Sequence, residues 1–122
     1  MKINEIAYTA YSTTDIKRAR KFYEEILGLK PTSVYEGDGM AFIEYEIGPH
    51  TFVLGMGTPQ FKPGPNGGTV AFELEDFDSA FEELKKHNIP FTMEKYDGPV
   101  CQMISITDPD GNQVMIHRRK SK

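Results

Sequence analysis

Three side chains in this sequence, Tyr8, Glu73 and His117, could take part in acid–base chemistry. An imidazole exchanges a proton near neutral pH, a carboxylate accepts one, and a tyrosine hydroxyl donates a hydrogen bond to a ligand oxygen. Each also has a purely structural interpretation: a packing ring, a solvated strand end, and a histidine close to the chain end. The catalytic residues therefore stay unknown, and these three are the candidates.

Other reactive groups give weaker signals. Cys101 is the only cysteine, so an intrachain disulfide is excluded, and a lone cysteine is more often a small buried hydrophobe than a nucleophile. His87 falls near a predicted helix end and His50 in a predicted turn. The sequence contains no phosphate-binding loop, no nucleophile elbow and no zinc-ligand spacing.

Composition limits the class of partner. A net charge of −4 and an isoelectric point near 5.3 argue against a nucleic-acid surface. The basic residues at 117–120 are expected to belong to a solvated tail. No apolar run approaches the roughly 20 residues that span a bilayer, and residues 1–5 do not resemble a signal peptide. With a single cysteine, these features predict a cytoplasmic protein without a membrane partner.

Apolar residues at helical spacing predict two helices, over residues 15–28 and 76–88. Gly28 and Asn88 suit the left-handed residue that commonly ends a helix. Alternating patterns predict eight strands, near 3–10, 31–36, 40–47, 51–56, 68–74, 91–96, 100–107 and 112–118. The sequence DPDGN at 108–112 is a strong hairpin-turn signal.

The order of elements repeats after a segment rich in proline and glycine at 57–68. A shift of 61 residues aligns the halves without a gap, and about three identities would be expected by chance. The identical pairs are Ala10/Ala71, Asp15/Asp76, Ala19/Ala80, Tyr35/Tyr96, Gly37/Gly98, Ile43/Ile104 and Val53/Val114. We expect one domain over 1–122, with modules at about 1–56 and 69–118, a linker at 57–68 and a tail at 119–122. An unrelated α+β fold with a similar element order is the alternative.

Three segments resemble the vicinal oxygen chelate superfamily, which includes glyoxalase I, bleomycin-resistance proteins, fosfomycin-resistance proteins and extradiol dioxygenases. They are residues 15–29 with KFY and LGL, VAFEL at 70–74, and DPDGN at 108–112. The resemblance covers nearly the whole chain in the right order. It implies an α+β fold of paired βαβββ modules that form a curved, half-open mixed β-sheet cup with helices on the outside, and it implies a homodimer.

In metal-dependent members of that superfamily, the first and last strands of each module supply the ligands of a divalent ion. The corresponding positions here are Tyr8, Leu54, Thr69 and Met115. Leucine has no lone pair, methionine is a soft ligand, and a catalytic metal requires at least three His, Cys or carboxylate ligands. The nearby Glu44, Glu73 and His117 lie out of register, so we expect neither a metal ion nor another cofactor.

Side chains of a strand alternate between two faces, so each of these positions marks the face that would line the cup. The ligand-binding residues predicted on that face are Tyr8, Phe42, Glu44, Phe52, Leu54, Met56, Thr69, Glu73, Cys101, Met103, Gln113, Met115 and His117. The helix-covered face is predicted to hold Ile43, Tyr45, Ile47, Ile104 and Ile106. Methionine suits an adaptable cavity, although it equally fills cores or dimer interfaces.

The leading hypothesis is a small-molecule binding protein of the glyoxalase/bleomycin-resistance type, without a metal ion, that binds or sequesters an apolar or aromatic ligand. Glu44 and Glu73 leave room for a cationic ligand. One alternative is a glyoxalase-like lyase or isomerase that uses Tyr8, Glu73 or His117 as acid or base. A second alternative is a non-catalytic interaction domain. Binding of nucleic acid is not expected.

Overall fold

The computed structural model describes residues 2, 6–57, 62–65 and 67–120. The chain divides into two compact units, Met1–Pro63 and Gly64–Lys122. Each unit contains a strand, a helix and three further strands, which confirms the predicted pair of βαβββ modules in an α+β fold. Neither helix in the described ranges is long and apolar enough to cross a lipid bilayer.

The first unit is a four-stranded mixed sheet with one helix. Its elements are β1 (Thr9–Ser12), α1 (Ile16–Arg20) with a π-helical continuation (Lys21–Ile26), β2 (Ser33–Gly37), β3 (Met40–Ile47) and β4 (His50–Met56). The strand order is β1-β4-β3-β2, in which β1 runs parallel to β4 and the other neighbours are antiparallel. Parallel strands require a crossover connection, and the segment that contains α1 lies in the connection that lets β1 pair with β4.

Helix α1 begins at a capping aspartate and changes its winding after one turn. The Asp15 side chain accepts a hydrogen bond from the Arg18 backbone N–H at 3.1 Å, which satisfies one of the free donors at the helix start. Further on, the Leu27 N–H donates to the Phe22 carbonyl, five residues back. Gly28 follows with φ of +79° and ends the helix, as predicted. The π-helical winding was not predicted.

Aromatic rings hold α1 against the sheet. The ring centroids of Tyr23 and Phe52 lie 5.1 Å apart, and those of Phe52 and Tyr45 lie 6.1 Å apart. All three residues are buried, together with Ile43 and Leu54. Aromatic pairs of this kind stabilise a core by about 0.5–1.5 kcal/mol beyond the area they bury. This face of the first sheet is therefore the helix-covered face.

A polar cluster connects the π-helical segment to the same face. The Tyr45 hydroxyl donates to Glu24 Oε2 at 2.8 Å. Arg20 donates to both oxygens of Glu24, with Nε–Oε2 at 2.7 Å and Nη2–Oε1 at 3.3 Å. Because every group of the cluster has a charged or hydrogen-bonding partner, the buried hydroxyl is satisfied.

The second unit repeats this arrangement. Its elements are β5 (Val70–Glu73), α2 (Phe77–Lys86), β6 (Tyr96–Asp97), β7 (Cys101–Thr107) and β8 (Gln113–Arg119). The strand order is β5-β8-β7-β6, with β5 parallel to β8. Asp76 caps α2 by accepting from the Ser79 N–H at 3.0 Å, and Asn88 ends it with φ of +56°.

Helix α2 covers the face of the second sheet that carries Ile104 and Ile106. The Phe81 ring on α2 stacks on Phe91 at a centroid distance of 5.1 Å, and Phe91 pairs directly with Ile106. Because directly paired residues of a sheet share a face, α2 lies on the Ile106 side. Ile104, Ile106 and Val114 are fully buried there, which confirms the predicted helix-covered face.

The predicted hairpin turn between β7 and β8 is closed by its own side chains. Asp108 Oδ1 accepts from the backbone N–H groups of Asp110 and Asn112, both at 2.9 Å. Asn112 Nδ2 donates to Asp108 Oδ2 at 2.9 Å, and Asn112 Oδ1 accepts from the Gly64 N–H at 3.0 Å. Gly111 supplies the positive φ of +86°. This segment therefore has a structural role, as a buried turn lock.

The same turn shifts the register between the two halves. Residue pairing places Val53 opposite Ala10 in the first unit, but Met115, and not Val114, lies opposite Ala71 in the second. The gapless shift of 61 residues is therefore correct for β5 and wrong for β8, where the equivalent shift is 62.

One extra turn residue is the cause of this shift. Five residues separate the paired Thr107 and Gln113, whereas four separate the equivalent pair Glu46 and Thr51. The insertion moves β8 by one residue along the chain while its pairing geometry with β7 is preserved.

Two strand predictions need correction. Strand β1 was predicted at 3–10 but runs from Thr9 to Ser12; residues 3–5 lie outside the described ranges, and 6–8 are not a strand. Strand β6 was predicted at 91–96 but covers only Tyr96–Asp97, while Phe91 forms an isolated bridge. Pairing with β4 and β7, which local patterns do not reveal, decides both boundaries. The other strand and helix boundaries agree within about two residues.

The end of the chain is also more ordered than predicted. Arg119 belongs to β8, and its backbone N–H donates to the Glu73 carboxylate. The Lys120 backbone N–H donates to the Val100 carbonyl, and its ammonium pairs with Asp97. Arg119 therefore lies in β8 and not in the predicted tail over 119–122, Lys120 follows the strand, and residues 121–122 lie outside the described part. The other predicted module, linker and single-domain boundaries stay predictions.

Candidate functional site

Four side chains form a row across the second sheet, on the face opposite α2. The row consists of Glu73 on β5, His117 on β8, Met103 on β7 and Tyr96 on β6, each the direct pairing partner of the next. Neighbouring strands lie about 4.8 Å apart, so the row extends over about 14 Å. It brings together an acid, an imidazole, a thioether and a phenol on one surface.

Glu73 and His117 are in direct contact at one end of the row. His117 Nδ1 lies 2.6 Å from Glu73 Oε1, and the Arg119 backbone N–H donates to Glu73 Oε2 at 2.5 Å. The side chain of Glu73 is 44% exposed and that of His117 is 25% exposed, so the pair is accessible from solution. Both groups were predicted on this face, but their contact was not predicted.

The charge of Glu73 follows from these bonds. Loss of hydration raises the pKa of the Glu73 carboxyl, but the hydrogen bonds from the Arg119 backbone and from His117 together outweigh that effect and lower it below its ordinary value. Glu73 is therefore a carboxylate at neutral pH. An ionised carboxylate only accepts hydrogen bonds.

A second polar group of this face is held in one orientation. The Ser105 hydroxyl donates to Gln113 Oε1 at 2.8 Å, and the Thr92 hydroxyl approaches the same oxygen at 3.4 Å. Ser105 is buried and pairs with Met115. Thr92 was not predicted for the site; its contact with Gln113 joins residues 21 positions apart, which no local pattern reveals.

Most residues predicted for the second half of the site share this face. They are Glu73, Cys101, Met103, Gln113, Met115 and His117. Thr69 lies one residue before β5, so no pairing fixes its face. The ligand-binding role of these residues stays a prediction, while their common surface is a feature of the sheet.

In the first unit, Phe42 and Glu44 lie on the face opposite α1. Phe42 pairs with Gly55 and Glu44 pairs with Val53. The Phe42 ring lies over the glycine, and a Cβ atom at Gly55 would be 3.5 Å from it, an ordinary van der Waals contact. The equivalents of Glu73 and His117 in this unit are Ser12 and Gly55, so the acid–imidazole pair has no counterpart among the described residues here.

Three residues predicted for this face lie on the other one. Phe52, Leu54 and Met56 pair with Tyr45, Ile43 and Ala41, which puts them on the α1 side. Leu54 is 0% exposed, and Phe52 is equally part of the core. The face predicted for these three residues is therefore wrong. The error arose from the gapless shift, which takes Met115 to Leu54 where the pairing takes it to Val53.

Tyr8 lies outside the strands of the first sheet. It precedes β1 and is 53% exposed, and neither sheet includes it in a pairing. Among the described residues, this candidate acid or base therefore has no positioned partner of the kind that Glu73 and His117 have in each other.

The side chains at the ligand positions of metal-dependent relatives do not fit a divalent ion. With the corrected register these positions hold Tyr8, Val53, Thr69 and Met115. They offer one phenol, one hydroxyl and one thioether, and no carboxylate, imidazole or thiolate. Across the described ranges, no group of three or more His, Cys, Asp or Glu residues is arranged to hold a metal.

Comparison with known proteins defines the class of this chain. Residues 5–116 match the Glyoxalase/Bleomycin resistance protein/Dioxygenase superfamily, and the chain belongs to that superfamily. Among curated proteins, the lactoylglutathione lyase of Haemophilus influenzae is 25% identical over an alignment of 129 positions, which covers 96% of this chain and 94% of the lyase.

Two solved structures show the same fold. TnmS3, an antibiotic binding protein from Streptomyces sp. CB03234, superposes with a TM-score of 0.79 at 20% identity, covering 98% of this chain and 99% of TnmS3. A superfamily member from Sphaerobacter thermophilus has a TM-score of 0.74 at 22% identity, covering 96% and 98% of the two chains. At these identities the likeness establishes the paired βαβββ fold.

Proposed function

We propose that this protein binds or sequesters a small apolar or aromatic ligand on the face opposite α2, without a resident metal ion. The observation that carries the proposal is the row from Glu73 to Tyr96, flanked by Met115 and Cys101. Small-molecule sites are mostly apolar with a few placed polar groups, and thioethers adapt to flat ligands.

The polar groups of this surface are oriented in advance. His117 is held by Glu73, and Gln113 is held by Ser105. Because these side chains already occupy fixed positions, a ligand does not have to order them on binding. This arrangement favours a binding site over a surface of independently mobile polar residues.

The comparisons support the same class of function. TnmS3 is described as an antibiotic binding protein and shares the fold. In this protein the residues at the family ligand positions are poor metal ligands, which favours binding over metal-dependent catalysis.

A ligand screen by thermal shift tests the proposal. An apolar or aromatic compound at 100 times its Kd should stabilise the native state by about 2.7 kcal/mol, which raises the Tm by roughly 10 °C. Met103→Glu should abolish the shift. Val100→Glu, at an exposed apolar residue outside the row, should leave it unchanged. Indifference of the wild type to a whole library at high concentration would refute the proposal.

Elemental analysis tests the metal-free part. We expect no stoichiometric divalent ion in protein purified without chelators. A stoichiometric ion whose loss follows substitution of Glu44, Glu73 or His117 would overturn this part.

A second candidate function is a glyoxalase-like lyase or isomerase, and the Glu73–His117 contact is the observation that favours it. A carboxylate that orients an imidazole is a common form of acid–base pair in enzymes. Turnover of a glutathione hemithioacetal by the wild type, lost in His117→Leu, would support this candidate. Absence of turnover would leave ligand binding as the function.

We also propose a cytoplasmic homodimer. Strands β2 and β6 each have one neighbour within the described sheets, and such edges are available to a second copy. Light scattering at working concentration should give twice the chain mass of 13.8 kDa. A monomer would contradict the assembly without affecting the binding proposal.

A further inference from the structure

We propose that His117 is a fixed hydrogen-bond acceptor, whose Nε2 atom accepts a hydrogen bond from an N–H or O–H group of a flat apolar ligand. This inference rests on the proposed ligand-binding function and specifies the chemistry of the ligand. It assigns separate parts to the two members of the pair: Glu73 is a positioning residue, and His117 is the residue that contacts the ligand.

The contact between Glu73 and His117 determines which ring nitrogen carries the hydrogen. Nδ1 and Oε1 lie 2.6 Å apart, a distance that requires a hydrogen between them. The carboxylate has none to donate, so Nδ1 is the donor. When the imidazole is neutral, its lone pair is therefore on Nε2, the nitrogen not directed at Glu73.

Glu73 is itself held at both oxygens. Oε1 accepts from His117, and Oε2 accepts from the Arg119 backbone N–H at 2.5 Å. The carboxylate cannot rotate without breaking a bond to β8, the strand that also carries His117. Two anchors on one strand fix the orientation of the imidazole ring relative to the sheet.

The surroundings of His117 define the rest of the ligand. Met103 is its direct neighbour in the row, Met115 lies two residues along β8, and Tyr96 lies beyond Met103. A flat ring on this surface contacts thioether and aromatic groups while one donor group reaches Nε2. Both carboxylate oxygens of Glu73 already accept hydrogen bonds, from His117 and from the Arg119 backbone N–H. A neutral ligand with one weakly acidic N–H or O–H group therefore fits better than a cation.

Long-range ¹⁵N–¹H NMR of the intact protein tests the tautomer directly. We expect neutral His117 to carry its hydrogen on Nδ1. His87 is an internal control, because it meets Glu83 through Nε2 at 3.1 Å and should show the opposite tautomer. Glu73→Ala should convert His117 to a mixture of tautomers and leave His87 unchanged. A neutral wild-type His117 protonated mainly on Nε2 would overturn the inference.

A matched pair of flat probes tests the ligand chemistry. Phthalimide has a weakly acidic N–H, whereas N-methylphthalimide has the same rings and no donor. We expect phthalimide to bind the wild type about tenfold more tightly, the effect of one hydrogen bond, and the ratio to fall to about one in His117→Leu.

The outcomes separate this inference from the function on which it rests. Equal affinity of both probes for the wild type would refute the acceptor role and leave ligand binding intact. The same holds if other aromatic fragments bind while neither probe does. Failure of every aromatic fragment to bind would refute the proposed function itself.

Discussion

Tyr45 donates its hydroxyl hydrogen to Glu24 across the interface between the first sheet and its helix, at an oxygen–oxygen distance of 2.8 Å. Glu24 lies in the π-helical segment, and Tyr45 lies in the middle of β3. Burial and then the bond to the Glu24 carboxylate raise the pKa of the Tyr45 hydroxyl above its ordinary value of 10.0. This hydrogen bond therefore attaches the π-helical segment to the sheet and makes the stability of the protein depend on pH.

Removing the hydroxyl should destabilise the protein without creating a cavity. Tyr45→Phe keeps the buried ring but leaves Glu24 with one donor fewer, and a hydrogen bond to a charged group contributes about 1.5–3 kcal/mol. Urea unfolding should show a loss in that range. Tyr35→Phe is the control, because Tyr35 is exposed and should change stability by less than about 0.5 kcal/mol. Equal effects of the two variants would contradict the assigned contact.

Stability should fall at alkaline pH because of the same tyrosine. The unfolded chain releases the Tyr45 proton near pH 10, whereas the native state retains it to higher pH, so the native state binds more protons there. The contribution is complete below pH 10 and is lost as pH rises towards the native pKa. Unfolding free energies at about pH 8 and about pH 10.5 should differ more for the wild type than for Tyr45→Phe. Equal losses of unfolding free energy in the wild type and in Tyr45→Phe would show that other groups determine the alkaline pH dependence.

Glu73 should produce the opposite dependence in acid. Its native pKa is lowered from the ordinary value of 4.5, because bonds from Arg119 and His117 outweigh the loss of hydration. The native state then binds fewer protons than the unfolded chain, so the contribution is present above pH 4.5 and is lost as pH falls through the native pKa. Glu73→Gln should lose less stability than the wild type between about pH 6 and about pH 3. Glu94→Gln, at an exposed loop position, is the matched control and should behave as the wild type.

The turn between β7 and β8 should depend strongly on one amide. Asn112→Ala removes the bonds to Asp108 and to the Gly64 N–H, which should destabilise the protein by about 2–4 kcal/mol. Pro109→Ala, in the same turn but exposed, should cost less than about 1 kcal/mol. Chemical denaturation measures the free energy of unfolding of both variants. An Asn112→Ala variant as stable as the wild type would contradict the structural role of this turn.

The features that the sequence predicted well are the local ones. The end of a helix can be predicted from a residue such as Asn88, which readily adopts the left-handed backbone conformation. Strands β3 and β7 can be predicted because apolar and polar residues alternate along them. Strand β1 was misplaced because its limits depend on β4, about 40 residues further along the chain. The π-helical segment spans only six residues, little more than one turn, so the apolar period of the sequence does not distinguish it from an α-helix.

The candidate site was predicted in part for the same reason. Alternation placed Met103, Met115 and His117 on one face, since each strand fixes its own faces. To transfer a face from one half to the other, the two halves must be aligned residue by residue. The gapless alignment is one residue wrong in the last strand, so it assigned Leu54 to the wrong face. The contact between Glu73 and His117 joins residues 44 positions apart, so only the parallel pairing of β5 with β8 reveals it.

The extra residue in the turn at 108–112 has a chemical consequence for the opposite end of β8. If Asn112 joined β8 and only four residues formed the turn, the same chain would place Ile116 beside Glu73, and the imidazole would point towards α2. The number of residues that close the turn therefore decides which face of the second sheet carries the imidazole.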